Sequence, residues 1–100
     1  MSYDVTRDEE RLIVRVGGRL DAQSSPMLAD EMRGMLDDVA EIDFDLSELE
    51  YISSAGMRVL LASYKLMQKR EGTMRVENAQ DSVLETLQMS GFASLFAMDD

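Results

Sequence analysis

Two adjacent hydroxyls, Ser53 and Ser54, lie in the stretch YISSAGMRVLL at residues 51–61. They stand between a run with strand character and a run with helix character. Serine at such a junction has two uses. Its side-chain oxygen can accept a hydrogen bond from a backbone N–H two or three residues on, which caps the helix and contributes about 1 kcal/mol. Its hydroxyl can also carry a phosphate, adding about −1.5 to −2 charges beside the unpaired N–H groups at the positive end of the helix. The fold would tolerate that charge. A partner relying on close approach or acidic complementarity would not. Gly56 sharpens the question. Glycine in the first turn costs about 1 kcal/mol against alanine, and a small residue there lets another surface approach the helix start.

Other chemistry has less to stand on. The chain has no cysteine and no histidine, which removes disulfides, thiol catalysis, the usual zinc sites and imidazole acid–base chemistry. With no histidine or lysine base in sequence reach, the serine pair is not expected to act as a nucleophile. Asp43 and Asp45 share one strand face, but carboxylates two apart on an exposed face are expected to be solvated, with nothing nearby to raise either pKa. Asp37–Asp38 and Asp99–Asp100 read as a solvated helix end and a tail. No loop has the dense spacing of acidic ligands that magnesium or calcium requires. Gly17–Gly18 reads as a strand end, not a phosphate cradle. The expectation is no enzyme, no metal and no cofactor. The nine methionines read mainly as core filler, with Met57, one turn into the helix, the one expected to be partly exposed.

The elements that must hold these residues follow from periodicity. Residues 2–6 and the run RLIVRVGG at 11–18 read as a hairpin, with Leu12, Val14 and Val16 on one face and Ile13 and Arg15 on the other. SSPMLADEMRGMLDDV, residues 24–39, reads as a helix with Ser25 as N-cap, Pro26 at its first position and Asp30 and Glu31 near its positive end. Its inward stripe is Leu28, Met32, Met35, Leu36 and Val39. EIDFDLS, residues 41–47, is a strand with Ile42, Phe44 and Leu46 facing one way. A second helix runs from about Ser54 to Lys69, with Met57, Leu60, Leu61, Tyr64 and Met67 inward, and Gly72 just past its end. TMRVEN is a further strand, AQDSVLETLQMSG a short helix on Val83, Leu84 and Leu87, and FASLFAM a last helical turn or a tail on the sheet. The order β-β-α-β-α-β-α implies parallel neighbours through right-handed crossovers. Strands buried on both faces would be continuous apolar runs, whereas these alternate. The expected fold is therefore α/β, a small mixed, mostly parallel sheet of four to five strands with helices mainly on one face.

One hundred residues without repeat or linker, 45% hydrophobic, read as a single domain over residues 1–100. Twenty acidic and ten basic residues give a net charge of −10. That argues against nucleic acid and anionic membrane as partners, and suits docking on a basic patch of another protein. No apolar run approaches a membrane span, and MSYDVTRDEE lacks a signal-peptide core. The expected location is cytoplasmic.

Three segments, GRLDAQSSPML, IDFDLSELEYISSAGMRVLLASYK and SVLETLQMSGFASLF, resemble the STAS family, specifically the bacterial anti-sigma factor antagonists. The resemblance covers nearly the whole chain in order. It implies a non-enzymatic protein that binds an anti-sigma factor, usually itself a serine kinase of histidine-kinase-like ATPase type, and so frees a sigma factor. Phosphorylation of a serine at the start of the second helix releases the partner, and a serine phosphatase resets the cycle. By position the acceptor is Ser54, with Ser53 as second choice. Asp21 matches an aspartate of the partner-facing loop, and Ser53, Gly56, Met57 and Arg58 complete the implied partner surface. Many members have aspartate before the acceptor serine and serine or threonine after it, where this chain has Ser53 and Ala55. The other implied use of the fold is a constitutive docking subunit, such as an accessory subunit of a membrane transporter complex.

Overall fold

The computed structural model describes residues 1–95 and 97–99. Strand β1 (Ser2–Asp8) turns at Glu9 and Glu10 into β2 (Arg11–Leu20), and the two pair antiparallel. Then follow helix α1 (Ser25–Arg33), β3 (Glu41–Ile52), α2 (Ser54–Lys69), β4 (Thr73–Glu77), α3 (Asp81–Met89), a 3₁₀ turn (Phe92–Ser94) and β5 (Ala97–Asp99). The five strands form one sheet in sequence order, with β2, β3, β4 and β5 mutually parallel. The fold class read from sequence is thus observed. The final segment begins with a short helical turn, one of the two readings of it, and then joins the sheet as a short edge strand rather than as a tail packed on it. Phe96, in its middle, lies outside the described residues, as does Asp100 of the acidic tail.

One face of the sheet is apolar. Leu12, Val14, Val16 and Leu20 on β2, Ile42, Phe44 and Leu46 on β3, and Met74 and Val76 on β4 join Leu28 and Met32 of α1, Leu60 and Met67 of α2, and Val83 and Leu87 of α3 in one buried cluster. Alternation puts their neighbours on the other face, which is charged. There Arg15 Nε stands 3.7 Å from Asp45 Oδ2 and Arg75 Nε 3.6 Å from Glu77 Oε1. Asp43 departs from expectation. It is 4% exposed, because it lies mid-sheet between Ile13 and Arg75 and beneath Arg11, whose Nε is 2.5 Å from Asp43 Oδ2.

Three boundaries differ from the sequence reading. Strand β3 continues to Ile52 because it accommodates an extra residue twice, before the Gly17↔Glu48 pair and again before Arg19↔Tyr51. Each bulge shifts the pleat by one, so Leu49 and Ile52 are buried. Helix α1 begins at Ser25 and stops at Gly34, so Ser24 stands at the cap position and no acidic residue falls in the first turn. The stripe beyond the helix still packs inward, with Val39 buried and Met35 and Leu36 against the core. After α2 the left-handed residue is Glu71, at φ 58°, not Gly72. Gly72 has a different job: a Cβ there would collide with the Ala40 carbonyl oxygen, and Thr73 N–H donates to that same oxygen at 3.0 Å.

Candidate functional site

The parallel pairing of β2 and β3 ends at Leu20↔Ile52, so the loops leaving these strands emerge side by side. The first carries Asp21 and leads into α1. The second is Ser53 alone, leading straight into α2. They are stitched together by Ser53 N–H donating to the Leu20 carbonyl at 2.9 Å. Asp21 and the serine pair are thus brought to one end of the sheet, as the sequence reading expects.

The two serines have separate positions. Ser53 has extended backbone, φ −93° and ψ 177°, and its Oγ accepts from Gly56 N–H at 3.3 Å. Its carbonyl accepts from Met57 N–H at 2.9 Å. Ser53 is the N-cap. Ser54 is the first residue of α2 and is exposed. Helix geometry leaves the first N–H groups without intrahelical acceptors, so those of Ser54 and Ala55 stand at the mouth of the helix beside the Ser54 hydroxyl.

Met57 is half-buried and Arg58 exposed on the first turn, an arrangement open to a partner. Gly56 is placed otherwise than expected. It is buried, and a Cβ on it would lie 2.8 Å from Ile52 Cγ1 and 2.9 Å from the Leu20 carbonyl oxygen. Its small size admits the strand ends of its own sheet rather than a visiting surface. Gly56 therefore seats α2 on the sheet, and the surface around Ser54 is made by its neighbours.

Asp21 shapes its loop. Its Oδ1 accepts from the backbone N–H of Ser24 at 3.0 Å and of Gln23 at 3.1 Å. The Ser24 hydroxyl lies 3.1 Å from the same oxygen and accepts from Asp21 N–H at 2.9 Å. Ser24 therefore braces the loop and makes no side-chain cap to α1. The backbone bond from Ser24, then its hydroxyl, hold the Asp21 carboxyl below the usual carboxylate range, with Gln23 N–H and Arg19 adding to the effect.

Three residues of this end escape sequence reasoning. The Arg19 guanidinium lies over the Tyr51 ring, 4.2 Å from its centroid. The bulge before Tyr51 creates that register, and no simple alternation reveals it. Met27 on α1 is also exposed. Among the described residues no group of three or more His, Cys, Asp or Glu is arranged to hold a metal ion.

The family model for the STAS domain matches residues 2–100. The chain belongs to the STAS domain family. One relative of this STAS chain is the anti-sigma F factor antagonist of Paenibacillus polymyxa, 32% identical over 104 residues, covering all of this chain and 89% of the relative. Another is the anti-sigma-B factor antagonist of Bacillus subtilis (strain 168), 22% identical over 95 residues, covering 95% of this chain and 87% of the relative. The fold matches that of the anti-sigma factor antagonist SpoIIAA in its unphosphorylated form, with a TM-score of 0.87 at 19% identity over 99% of this chain and 88% of that one. The Bacillus cell fate determinant SpoIIAA in its phosphorylated form gives 0.79 at 18% identity, over 99% and 91%. No helix among the described residues is long and apolar enough to cross a membrane.

Proposed function

We propose that this STAS chain is a single-domain, cytoplasmic anti-sigma factor antagonist, switched by phosphorylation of Ser54. The observation that carries the reading is the division of labour between the two serines. Ser53 Oγ is committed to Gly56 N–H, whereas Ser54 is exposed one residue further along. A kinase can reach Ser54 without undoing the cap. The naming of the relatives as anti-sigma factor antagonists, and a phosphorylated form of one protein of this fold, support the same reading.

The partner is an anti-sigma factor, itself a serine kinase of histidine-kinase-like ATPase type, and it docks on the first turn of α2 and the Asp21 loop. Asp21 sets the loop's shape, Met57 supplies adaptable apolar contact, and Arg58 supplies charge. The kinase transfers a phosphoryl group from ATP to Ser54 Oγ, whose proton is lost. The helix end accommodates the new dianion, while its bulk and charge displace the partner. A serine phosphatase restores the binding form. The chain itself performs no catalysis.

The test is intact mass and peptide mapping of the protein from its own cells, in growth and under stress, with binding of variants to the purified anti-sigma factor. Phosphate on Ser54 with changing occupancy is expected, as is persistent binding by Ser54→Ala and weak binding by Ser54→Asp. Ser54→Asp binding as tightly as the unmodified protein would remove the switch. Phosphate on Ser53 would move the acceptor by one residue. No phosphate in any condition would leave a constitutive docking subunit.

A further inference from the structure

The charged face of the sheet hides a carboxylate. Asp43 is 4% exposed although it stands on the face opposite the helices. Its Oδ2 accepts from Arg11 Nε, and its Oδ1 is buried with no hydrogen-bond partner. A buried acceptor left unpaired is costly. Two residues earlier on the same face, Glu41 places Oε2 3.3 Å from the same Arg11 Nε. One guanidinium nitrogen therefore draws two carboxylates together, and only one of them reaches solvent.

We infer that Glu41 and Asp43 form a proton-sharing pair beneath Arg11, an acid-tightened clasp where β2 and β3 begin. At low pH the Glu41 carboxylate takes a proton from solvent, forms an O–H bond and donates it to the Asp43 carboxylate, which has acceptor capacity to spare on its unpaired oxygen. At higher pH the proton returns to solvent and two anions face each other under one cation. The surroundings are mixed. Asp8 of β1 pairs in register with Arg11, and Glu9 and Glu10 lie in the adjoining turn. On β4, Thr73 is opposite Glu41, Arg75 opposite Asp43, and Glu77 two residues on; β5 brings Ala97 beside Arg75. The balance falls against the Glu41 anion. Its carboxyl is raised above the ordinary glutamate value by the hydrogen bond with Asp43, then by burial and by the Asp43 charge, with Arg11 and Arg75 opposing. A group with a raised folded-state midpoint contributes stability below its unfolded-state value, and that contribution is lost as pH rises through the folded-state midpoint. Acid therefore tightens this end of the sheet, away from Ser54.

Carboxyl carbon NMR titration of the intact protein tests the pair. Glu41 is expected to titrate above the ordinary glutamate value, the Asp43 carboxyl carbon is expected to respond at the Glu41 midpoint, and Asp43→Asn is expected to bring the Glu41 midpoint down. A Glu41 midpoint at or below the ordinary glutamate value would overturn the inference. So would a midpoint that ignores Asp43→Asn. If Asp43→Asn does not fold, Glu41→Gln decides. Its amide is a permanent donor, and the response of Asp43 at the former Glu41 midpoint must vanish. If that response persists, the two groups do not share a proton.

Discussion

Replacing Gly56 by alanine sets two large terms against each other. In an open helix the change is favourable, by about 1 kcal/mol. Here the new methyl would stand 2.8 Å from Ile52 Cγ1, 2.9 Å from the Leu20 carbonyl oxygen and 3.0 Å from Leu20 Cγ. One of these is backbone and cannot turn aside. Forcing a methyl into packed surroundings costs about 1–3 kcal/mol. Moving α2 outward to relieve it would stretch the bond from Ser53 N–H to that same Leu20 oxygen, worth about 1 kcal/mol more. The net expectation is a loss of about 1–3 kcal/mol. For a domain of this size that lowers the melting temperature by about 4–8 °C per kcal/mol, and a urea titration with unchanged slope measures it directly. Gly34→Ala is the internal comparison. A Cβ there meets only the Glu31 carbonyl oxygen at 3.8 Å, and the backbone φ of −72° suits any residue. It should be neutral or gain up to about 1 kcal/mol. If Gly56→Ala matched Gly34→Ala, the close approach of α2 to the strand ends would not be what demands glycine.

The serine pair and the Asp21 loop give two further expectations. Ser53→Ala should cost about 1 kcal/mol by removing the cap, while Ser54→Ala, at an exposed position, should stay within about 0.5 kcal/mol of the parent; thermal unfolding of both variants checks this, and a reversal would exchange their roles. Asp21, whose carboxyl is held below the usual range mainly by Ser24, should contribute stability above the ordinary aspartate value and lose it as pH falls through its depressed folded-state value. Unfolding of Asp21→Asn and parent across pH 2–7 (about the carboxylate range) should therefore show a gap that narrows on acidification, and a gap that widens would refute the loop geometry.

Much of this fold was legible because its strands alternate cleanly and its helices have stripes. Leu12, Val14 and Val16 against Arg11 and Arg15, or Ile42, Phe44 and Leu46 against Asp43 and Asp45, assign faces without any partner being known. Helix α2 runs over Ser54–Lys69 as expected, with Leu60 and Met67 buried and Met57 and Tyr64 packed against the core, but two residues of its inner face were missed. The buried residues are Gly56, Leu60, Ser63 and Met67, and hydropathy ignores a glycine and a serine. Ser63 satisfies itself by donating to the Val59 carbonyl at 2.8 Å, so a polar residue passes as core. The last part of β3 was hidden for another reason. Two bulges break the period of two between Leu46 and Ile52, and only pairing with β2 makes them a strand. Asp43 was misread because solvation was judged from its own strand, whereas burial comes from Arg11 and the strands on either side.

On the proposed switch, the start of α2 separates what the fold requires from what the switch requires. A single serine serving both needs would couple them, since a phosphate on the cap oxygen would remove the acceptor for Gly56 N–H. Placing the cap at Ser53 and the exposed hydroxyl at Ser54 uncouples them. Gly56 then completes the arrangement from beneath, by letting the helix start lie against Leu20 and Ile52, which fixes the direction in which Ser54 faces outward. Serine and aspartate are both strong N-caps, and either would leave the next residue free. A serine cap carries no charge, so under the proposed switch a phosphate on Ser54 would meet no anion at the cap. In this chain Arg58, one turn ahead of Ser54 and exposed, leaves a cation on the same side of the helix. On the proposed switch, the uncharged cap and this cation would both favour a phosphate on Ser54 locally, and neither requires the sheet beneath to move.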